Sequence, residues 1–244
     1  MLKNSLVFNQ VVLPGPPEMW TAPLDLTLAL QEVLLIDRIG PDESAPFLKV
    51  ASSLRPPVAG EVLHWDLNAF SLSRQELYHL RRRIAYLAPG QVLLSRLTLG
   101  QNIALGISFQ EGTSYRSVLA GHTDLLERLA LQPFLALWPQ DVAEEVYVRA
   151  LWARELIKEP ELIVAVLDGA WEPLAAPSQG ILLLQDYLAH RRGAALLLGQ
   201  SLQDFHPLAS RLLRRESGRL ISHPLSDHPG RPLTDFLPLV LKEE

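Results

Sequence analysis

The sequence predicts an α/β protein in which a largely parallel sheet is covered by helices on its faces. Apolar runs of the buried-strand type recur along the chain, and helical patterns separate them. The clearest apolar runs lie at residues 33–36, 161–167 and 194–198. Parallel strands that are buried on both faces give such continuous apolar runs, and each strand needs a crossover segment before the next. The alternation therefore favours a parallel sheet.

Composition sets the size of the core and excludes several classes of function. With 244 residues, of which 48% are hydrophobic and 20% charged, the chain can bury a full core as one large domain or as a domain with a subdomain. The absence of cysteine excludes a disulfide framework and thiolate-based sites. A net charge of −5, with basic residues spread along the chain, predicts no nucleic-acid partner. No run approaches the about 18 apolar residues of a membrane span, so we expect a soluble chain without direct membrane insertion.

The first third of the chain is predicted to place strands on either side of one helix. Residues 25–30 alternate between apolar and polar side chains, as in a half-exposed strand, and residues 33–36 read as a buried strand. A helix is predicted over 47–54, because the Arg-Pro-Pro sequence that follows would stop it. Residues 60–63 return as a strand.

The later elements follow from one capping pattern and from apolar periodicity. Ser73 and Glu76 form a capping box, in which each side chain satisfies the free backbone amide of the other residue, and a helix is predicted from there toward Arg83. The remaining predictions, in chain order, are a strand at 84–87, mostly helix over 115–157, a strand at 161–167, a helix over 179–192 and a strand at 194–198.

Several short segments occur in an order that is more specific than any one of them. They are LRP at 54–56 with GEV at 60–62, LTLGQNIAL at 97–105, AREL at 153–156 with PEL at 160–162, and SGRL at 217–220. In this order they resemble the "LRP..GEV", "LTVxENVAL", "ARAL...PEL" and "DGRI" segments of ABC transporter nucleotide-binding subunits. The resemblance covers about residues 25–221.

This resemblance implies an ABC-type P-loop NTPase-like core, with a mixed or parallel sheet flanked by helices and a helical subdomain. The implied organisation is an ATPase-like domain over 1–221, with the helical subdomain inserted at about 95–157, and a Pro-rich C-terminal extension over 222–244. Residues 72–83 (LSRQELYHLRRR) are most similar to the ATPase subunit of Mla-type systems, which move phospholipids together with MCE proteins.

The expected phosphate loop is the position where the sequence departs most from this family. A working loop needs glycines whose amides close around the phosphates, a lysine, and a hydroxyl for Mg²⁺. After Gly40 the chain instead reads PDESAPFLK, so that Asp42 and Glu43 place two carboxylates where phosphate should sit. Pro46 has no amide N–H to donate. Lys49 falls beyond the loop, either as an exposed helix lysine or as a displaced catalytic lysine.

Three further motif positions, as the resemblance aligns them, also lack the residue that the family uses. Pro89 stands where a Mg²⁺-contacting glutamine belongs in the Q-loop, and Gln91 is either a displaced substitute or a solvated loop residue. Glu144 and Glu145 replace the two glycines of the signature segment, and Gln200 occupies the position of the switch histidine. These degenerate positions are predicted not to function in hydrolysis.

The strand that should end in the Asp-Glu pair of the Walker B motif allows two alignments. In one, Asp168 keeps the aspartate of the metal shell and Gly169 replaces the glutamate that polarises the attacking water. In the other, anchored on Pro160, Val166 and Leu167 occupy the pair. Neither alignment supplies a general base, so the sequence predicts a pseudo-ATPase with no catalytic residue, no cofactor and no metal.

The expected partner is an integral membrane permease. The apolar residues Val92, Leu93, Leu94 and Leu97 suit the groove that seats a permease in this family, although buried packing would demand the same residues. We expect a cytoplasmic subunit, peripheral to the inner membrane through the permease of an Mla/MCE-type lipid transport complex. The resemblance also implies a head-to-tail dimer, with a second copy or with another ABC subunit.

Two other functions are compatible with the same sequence. One is a divergent subunit that binds ATP with weak or no hydrolysis, using Asp168 and Gln200 in an altered geometry. The other is a free-standing regulatory or interaction protein that has left the transporter. Retention of the surface that contacts a permease would separate the two.

One pair of polar residues has the pattern of metal ligands. His64 and Asp66 flank Trp65 in a predicted strand or turn, so that both side chains fall on one face. A histidine and a carboxylate on one face can bind a metal ion. Such a pair is more commonly two polar residues at the edge of a strand. No metal site is predicted there.

Overall fold

The structure, a computed structural model, describes residues 4–16, 18–167, 184–185, 187–188 and 193–225. Within these ranges the strands are β1 Asn4–Val12, β2 Leu24–Ala29, β3 Val33–Asp37, β4 Ala59–His64, β5 Leu67–Asn68, β6 Ile84–Leu87, β7 Leu162–Val166, β8 Ala194–Gly199, β9 Arg211–Glu216 and β10 Arg219–His223. The α-helices are α1 Pro41–Ala51, α2 Arg74–Arg82, α3 Leu99–Glu111, α4 Tyr115–Ala120, α5 Thr123–Arg128 and α6 Glu144–Leu156. Of the predicted helix over 179–192, residues 184–185 and 187–188 are described and are helical; its other residues and most of the C-terminal extension lie outside the described residues.

The larger sheet has six strands in the order β10-β9-β3-β8-β7-β6. The strands from β9 to β6 are parallel, and β10 is antiparallel to β9. All residues of β3, β7 and β8 are buried, as their continuous apolar sequences predict for strands covered on both faces. The predicted largely parallel sheet is therefore confirmed.

A second, antiparallel sheet covers one face of the first, with α1 between them. Its strand order is β2-β1-β4-β5, and β1 pairs with both β2 and β4. Phe8 of β1 packs on Phe47 of α1 with ring centroids 5.4 Å apart. Both belong to the hydrophobic core that also contains Leu34 and Ile36 of β3.

The opposite face of the larger sheet is covered by the helices α3 to α6, which fall within 99–156. Their core contains the fully buried Trp152 and also includes Leu35 of β3. Gly100 permits the close packing of α3, since a Cβ at this position would lie 2.9 Å from Leu119 Cδ1 and 3.1 Å from the Leu135 carbonyl. Among the helices of the described ranges, none is long and apolar enough to cross a membrane.

The edge strand β6 is closed by side chains of α6 and of the residues that follow it. Glu155 accepts a hydrogen bond from the Tyr86 amide at 3.2 Å. Lys158 pairs with Glu155 and donates to the Ile84 carbonyl at 3.4 Å. These contacts satisfy edge groups that would otherwise be free to pair with another strand.

The first helix begins earlier than the sequence predicted. We expected a helix over 47–54, but α1 runs from Pro41 to Ala51. Pro41 is well suited to the first helical position, because its fixed φ matches the helix and its missing N–H is not needed there. The helix ends at Ala51, where Ser53 already has a positive φ of 56°, and so before the Arg-Pro-Pro sequence.

His64 is a buried structural residue and does not form a ligand pair with Asp66. Its Nε2 lies 2.8 Å from the Ser53 hydroxyl. Trp65 and Asp66 have positive φ angles of 48° and 67° in the turn between β4 and β5, and the Asp66 side chain is exposed. Burial, with a smaller contribution from the positive charge of Arg83, lowers the pKa of His64 to about 3. No cluster of three or more possible metal ligands occurs among the described residues.

The buried histidine predicts a pH dependence of stability. Above pH 6.5 His64 is neutral in both states. As the pH falls toward 3 the unfolded chain binds a proton there and the folded chain does not, so the free energy of unfolding decreases, by up to about 1.4 kcal/mol per pH unit. Urea unfolding between pH 7 and pH 4 should show this slope in the wild type and lose it in His64→Gln. The exposed His79→Gln variant should keep it, and equal slopes in all three proteins would contradict the assignment.

Candidate functional site

The carboxyl ends of the parallel strands bring several of the predicted positions to one edge of the sheet. Gly40 follows β3, Gln200 follows β8, and Pro89 follows β6. In α/β sheets, ligands bind outside the carboxyl ends of the strands. This edge is therefore the candidate site.

The connection between β3 and α1 consists of three residues. Arg38, Ile39 and Gly40 lie between the end of the strand and Pro41. The Ile39 amide is used within the fold, since it donates to the Gly199 carbonyl at 3.1 Å. A phosphate loop spans about eight residues from its first glycine to its lysine and hydroxyl residue. Three residues are too few to wrap successive amides around a phosphate group.

Glu43 lies at the N-terminus of α1, where a phosphate would be expected. One carboxylate oxygen, Oε2, accepts the Gly40 amide at 3.2 Å, and Oε1 lies 2.6 Å from Nη2 of Arg215 on β9. Gln200 is adjacent, because its Nε2 lies 3.8 Å from the position that a Cβ on Gly40 would take. Asp42, in the same helical turn, is exposed. Of the two carboxylates predicted at this position, Glu43 holds it and Asp42 faces solvent.

Further ion pairs join β9 to the two ends of β3. Asp37 has a side chain that is only 7% exposed; it accepts the Leu202 amide at 3.3 Å and lies 3.6 Å from Nε of Arg214. Arg211 lies 2.8 Å from Glu32, just before β3. The three arginines of β9 are thus each matched by an acidic residue around β3 and α1.

Neither the lysine nor the hydroxyl residue of α1 is available at its N-terminus. Lys49 lies exposed in the last turn, about 12 Å along the helix axis from Pro41, and is therefore placed as an ordinary helix lysine. Ser44 is buried and donates to the Pro41 carbonyl at 3.1 Å. Pro46 lies inside the helix.

The loop after β6 uses its glutamine to hold its own backbone. Pro89 is exposed and is followed by Gly90 with a φ of 83°. Gln91 Nε2 donates to the Tyr86 carbonyl at 2.8 Å. The glutamine nitrogen is thus engaged within the loop.

The α6 N-terminus carries the two glutamates that align with the signature segment. Its N-cap residue is Ala143, which makes no side-chain cap hydrogen bond, and Glu144 and Glu145 are exposed in the first turn. Glu145 lies 3.6 Å from Arg149 one turn on. Acidic residues stabilise the positive end of a helix, and they also oppose the approach of an anion to it.

The Walker B position is only partly within the described residues. Asp168 and Gly169 lie outside them. Val166 and Leu167, the pair of the alternative alignment, are buried, and the Leu167 amide donates to the Leu198 carbonyl at 2.8 Å.

The loop predicted to meet a permease is held in place at three points. Arg154 donates to the Val92 carbonyl at 2.8 Å, and the Leu93 amide donates to the Tyr147 hydroxyl at 2.8 Å. The fully buried Asn102 accepts the Leu94 amide at 2.7 Å and donates to the carbonyls of Leu94, Leu97 and Thr98 at 3.0 Å. The loop is therefore a fixed part of the surface beside α3 and α6.

The four leucine and valine side chains of this loop divide between surface and core. Val92 is 65% exposed and Leu94 is 49% exposed, whereas Leu97 is half-buried. Leu93 is buried in the helical core. It is therefore explained by internal packing, the alternative that the sequence left open, and it is not accessible to a partner.

Sequence reasoning missed two apolar residues of α3. Leu105 is 41% exposed and Phe109, one turn further, is 88% exposed. A groove of about 270 Å³ lies between α3 and the residues around Glu155, with Leu105 in its lining. The signal was present in the sequence: Ile103 and Ile107 already fill the buried face of α3, so apolar residues two positions on from each fall outside it.

Known ATP-binding proteins resemble this chain in sequence. It is 29% identical over 82% of its length to the methionine import ATP-binding protein MetN of Rhizobium johnstonii. It is 25% identical over 88% of its length to the molybdenum import ATP-binding protein ModC of Vibrio cholerae. The matches cover 56% and 57% of those two proteins, so the chain spans a little over half the length of these relatives. No protein-family model matches the chain.

Solved ATP-binding cassettes share the fold. The dimeric cassette MJ0796 bound to ADP and Pi superposes with a TM-score of 0.75 at 19% identity, covering 90% of this chain and 98% of the cassette. The same cassette, also solved as a dimer and named a bacterial ABC transporter cassette, gives 0.74. The chain has the ABC ATPase cassette fold. The relatives named above are ATP-binding proteins of import systems by name.

The buried Asp37 predicts a large loss of stability on truncation. Asp37→Ala should lower the free energy of unfolding by about 2 to 4 kcal/mol, because it leaves the Leu202 amide without its acceptor and Arg214 without its counter-charge. Arg38→Ala, which removes an ion pair between exposed groups, should cost less than about 0.5 kcal/mol. Denaturant unfolding of both variants tests this, and similar losses would contradict it.

Proposed function

We propose that this chain is a pseudo-ATPase subunit of an ABC-type transporter, which docks on a membrane permease without hydrolysing ATP. The observation that carries the proposal is the three-residue connection between β3 and α1. The cassette fold is present, but the backbone that would hold a triphosphate is not. A fold and its chemistry are separable in this way.

The residues at this edge do not fit Mg²⁺ and ATP. Within the described α1, the single lysine is in the last turn and the single hydroxyl is buried in a local hydrogen bond. Glu43 supplies a negative charge where the phosphates would need donors. We therefore derive no hydrolytic step for this chain.

The α6 N-terminus extends the proposal to the dimer. In the family that the chain resembles, each composite site joins one subunit's phosphate loop to the signature segment of the other. Here Glu144 and Glu145 stand at the signature and Glu43 at the loop. We propose that neither composite site of a dimer containing this chain is complete, whether its mate is a second copy or another ABC subunit.

The permease contact is proposed for the surface formed by Val92, Leu94, Leu105 and Phe109, referred to below as the α3 surface. Neighbouring apolar side chains that are exposed together are typical of a surface that a partner covers, and Leu105 and Phe109 lie one turn apart on α3. The contact would place the chain at the cytoplasmic face of the inner membrane.

The proposed cargo is a lipid, carried by an Mla/MCE-type complex. This part of the proposal rests on the likeness of residues 72–83 to the Mla-type ATPase subunit. MetN and ModC are import proteins by name, for methionine and molybdenum. In the proposed complex the permease and MCE protein form a passive lipid conduit.

A hydrolysis assay of the assembled transporter tests the proposed inactivity. The complex is purified through a tag on this chain, once with the wild-type chain and once with an Asp42→Ala, Glu144→Ala, Gln200→Ala triple variant. We expect ATP hydrolysis by the two complexes to agree within about twofold, because none of these side chains should take part in a transition state. A loss of about tenfold in a complex of unchanged composition would contradict the proposal.

Substitution of the α3 surface tests the permease contact. Leu105→Ser with Phe109→Ser should lower the amount of permease recovered from detergent-solubilised membranes about tenfold or more, since exposed apolar anchors dominate such interfaces. Val58→Ser is the matched control, because Val58 is 69% exposed and lies just before β4 in the antiparallel sheet. Equal recovery with both variants would place the contact elsewhere.

A further inference from the structure

The first turn of α1 contains a carboxylate that is held by groups from two parts of the chain. Glu43 accepts the Gly40 amide at 3.2 Å and lies 2.6 Å from the guanidinium of Arg215. The amide of Gln200 is next to Gly40. The side chains of Glu43 and Arg215 are only 16% and 23% exposed. A negative charge is thus enclosed at the positive end of the helix.

Another helix of the same protein shows what an ordinary cap looks like. In α2, Glu76 also turns back and accepts the amide of its N-cap residue Ser73, at 2.9 Å. Glu76 is exposed, and the hydroxyl of its N-cap residue Ser73 accepts a hydrogen bond from the Glu76 amide. In α1 the N-cap residue is Gly40, which has no side chain, and the second contact comes instead from Arg215 on β9. Local capping therefore explains Glu76 and only part of Glu43.

The groups around Glu43 are the ones that proteins use to bind phosphate oxygens. They are a backbone amide at a helix N-terminus, the nearby side-chain amide of Gln200, and Nη2 of Arg215, which also donates to the Met19 carbonyl at 2.9 Å. A carboxylate on the same chain reaches them without the entropy cost of binding a free anion, at an effective concentration that free phosphate would not match.

We propose that Glu43 is a tethered substitute for phosphate, an internal contact that closes this end of the sheet to free anions and holds β9 against α1. The inference rests on the proposed function in that it treats this end of the sheet as a site that takes no nucleotide. It adds the reason: the site is occupied by the chain itself. Removal of the carboxylate should then uncover an affinity for free phosphate groups.

Thermal unfolding with and without pyrophosphate tests this inference. Glu43→Ala should melt below the wild type in chloride buffer, and about 10 mM pyrophosphate should raise its melting temperature by about 3 °C or more at matched ionic strength. The wild type should shift by less than about 1 °C. Asp42→Ala is the matched control, because it removes an exposed charge from the same turn, and it should behave as the wild type does.

The double variant Glu43→Ala with Arg215→Met identifies the group that receives the anion. Pyrophosphate should fail to stabilise it, because the guanidinium is gone. A folded Glu43→Ala that shows no pyrophosphate effect, or an effect equal to that of Asp42→Ala or of the double variant, would overturn the inference. If Glu43→Ala does not fold, Glu43→Ser carries the same comparison.

This result is independent of the hydrolysis assay. The assay uses the wild-type carboxylate at position 43 and asks whether the transporter depends on the chain for hydrolysis. The melting experiment asks only which group fills the α1 N-terminus. A failure of the inference and a failure of the proposed inactivity therefore give different results in the two experiments.

Discussion

The short path from β3 into α1 is the constraint on which the site depends. Three residues connect a central strand to the helix, so the N-terminus of α1 lies directly against the sheet edge and leaves no loop for a ligand to enter. The positive helix end still needs a partner. Glu43 provides it, and Arg215 balances the charge from β9. The ion pairs of Asp37 and Arg211 likewise connect β9 to the two ends of β3. The β9–β10 hairpin, β3 and α1 are thus joined by contacts within the chain.

Internal hydrogen bonds have different effects at the loop before α3 and at the N-terminus of α1. Asn102 makes four hydrogen bonds to the loop that carries Val92 and Leu94, and Tyr147 and Arg154 hold the same loop. That network fixes an apolar surface next to α3. Where β3 leads into α1, the Gly40 amide and Arg215 are instead engaged by Glu43. The surface proposed for docking is thus held by hydrogen bonds, and the proposed ligand site is filled by Glu43 of the same chain.

Local patterns predicted the elements whose cause is local, and long-range contacts explain the rest. The capping box of Ser73 and Glu76 and the buried runs of β3, β7 and β8 could be read directly from the sequence. β1 was missed, because its asparagine and glutamine interrupt the apolar pattern and its pairing partners β2 and β4 follow it in the chain. β9 was missed for a related reason: its arginines suggest a surface, and their acidic partners lie far earlier, around β3 and α1. At the site, the sequence indicated two carboxylates but not which one would turn inward.

A calorimetric titration of the purified chain with Mg-ATP tests the central claim most directly. The account predicts no detectable heat of binding up to millimolar nucleotide, because the β3–α1 connection offers no phosphate loop and Glu43 fills the helix N-terminus. Binding with a micromolar dissociation constant would contradict it, since the nucleotide would then have to displace Glu43 from Arg215 or bind by another route.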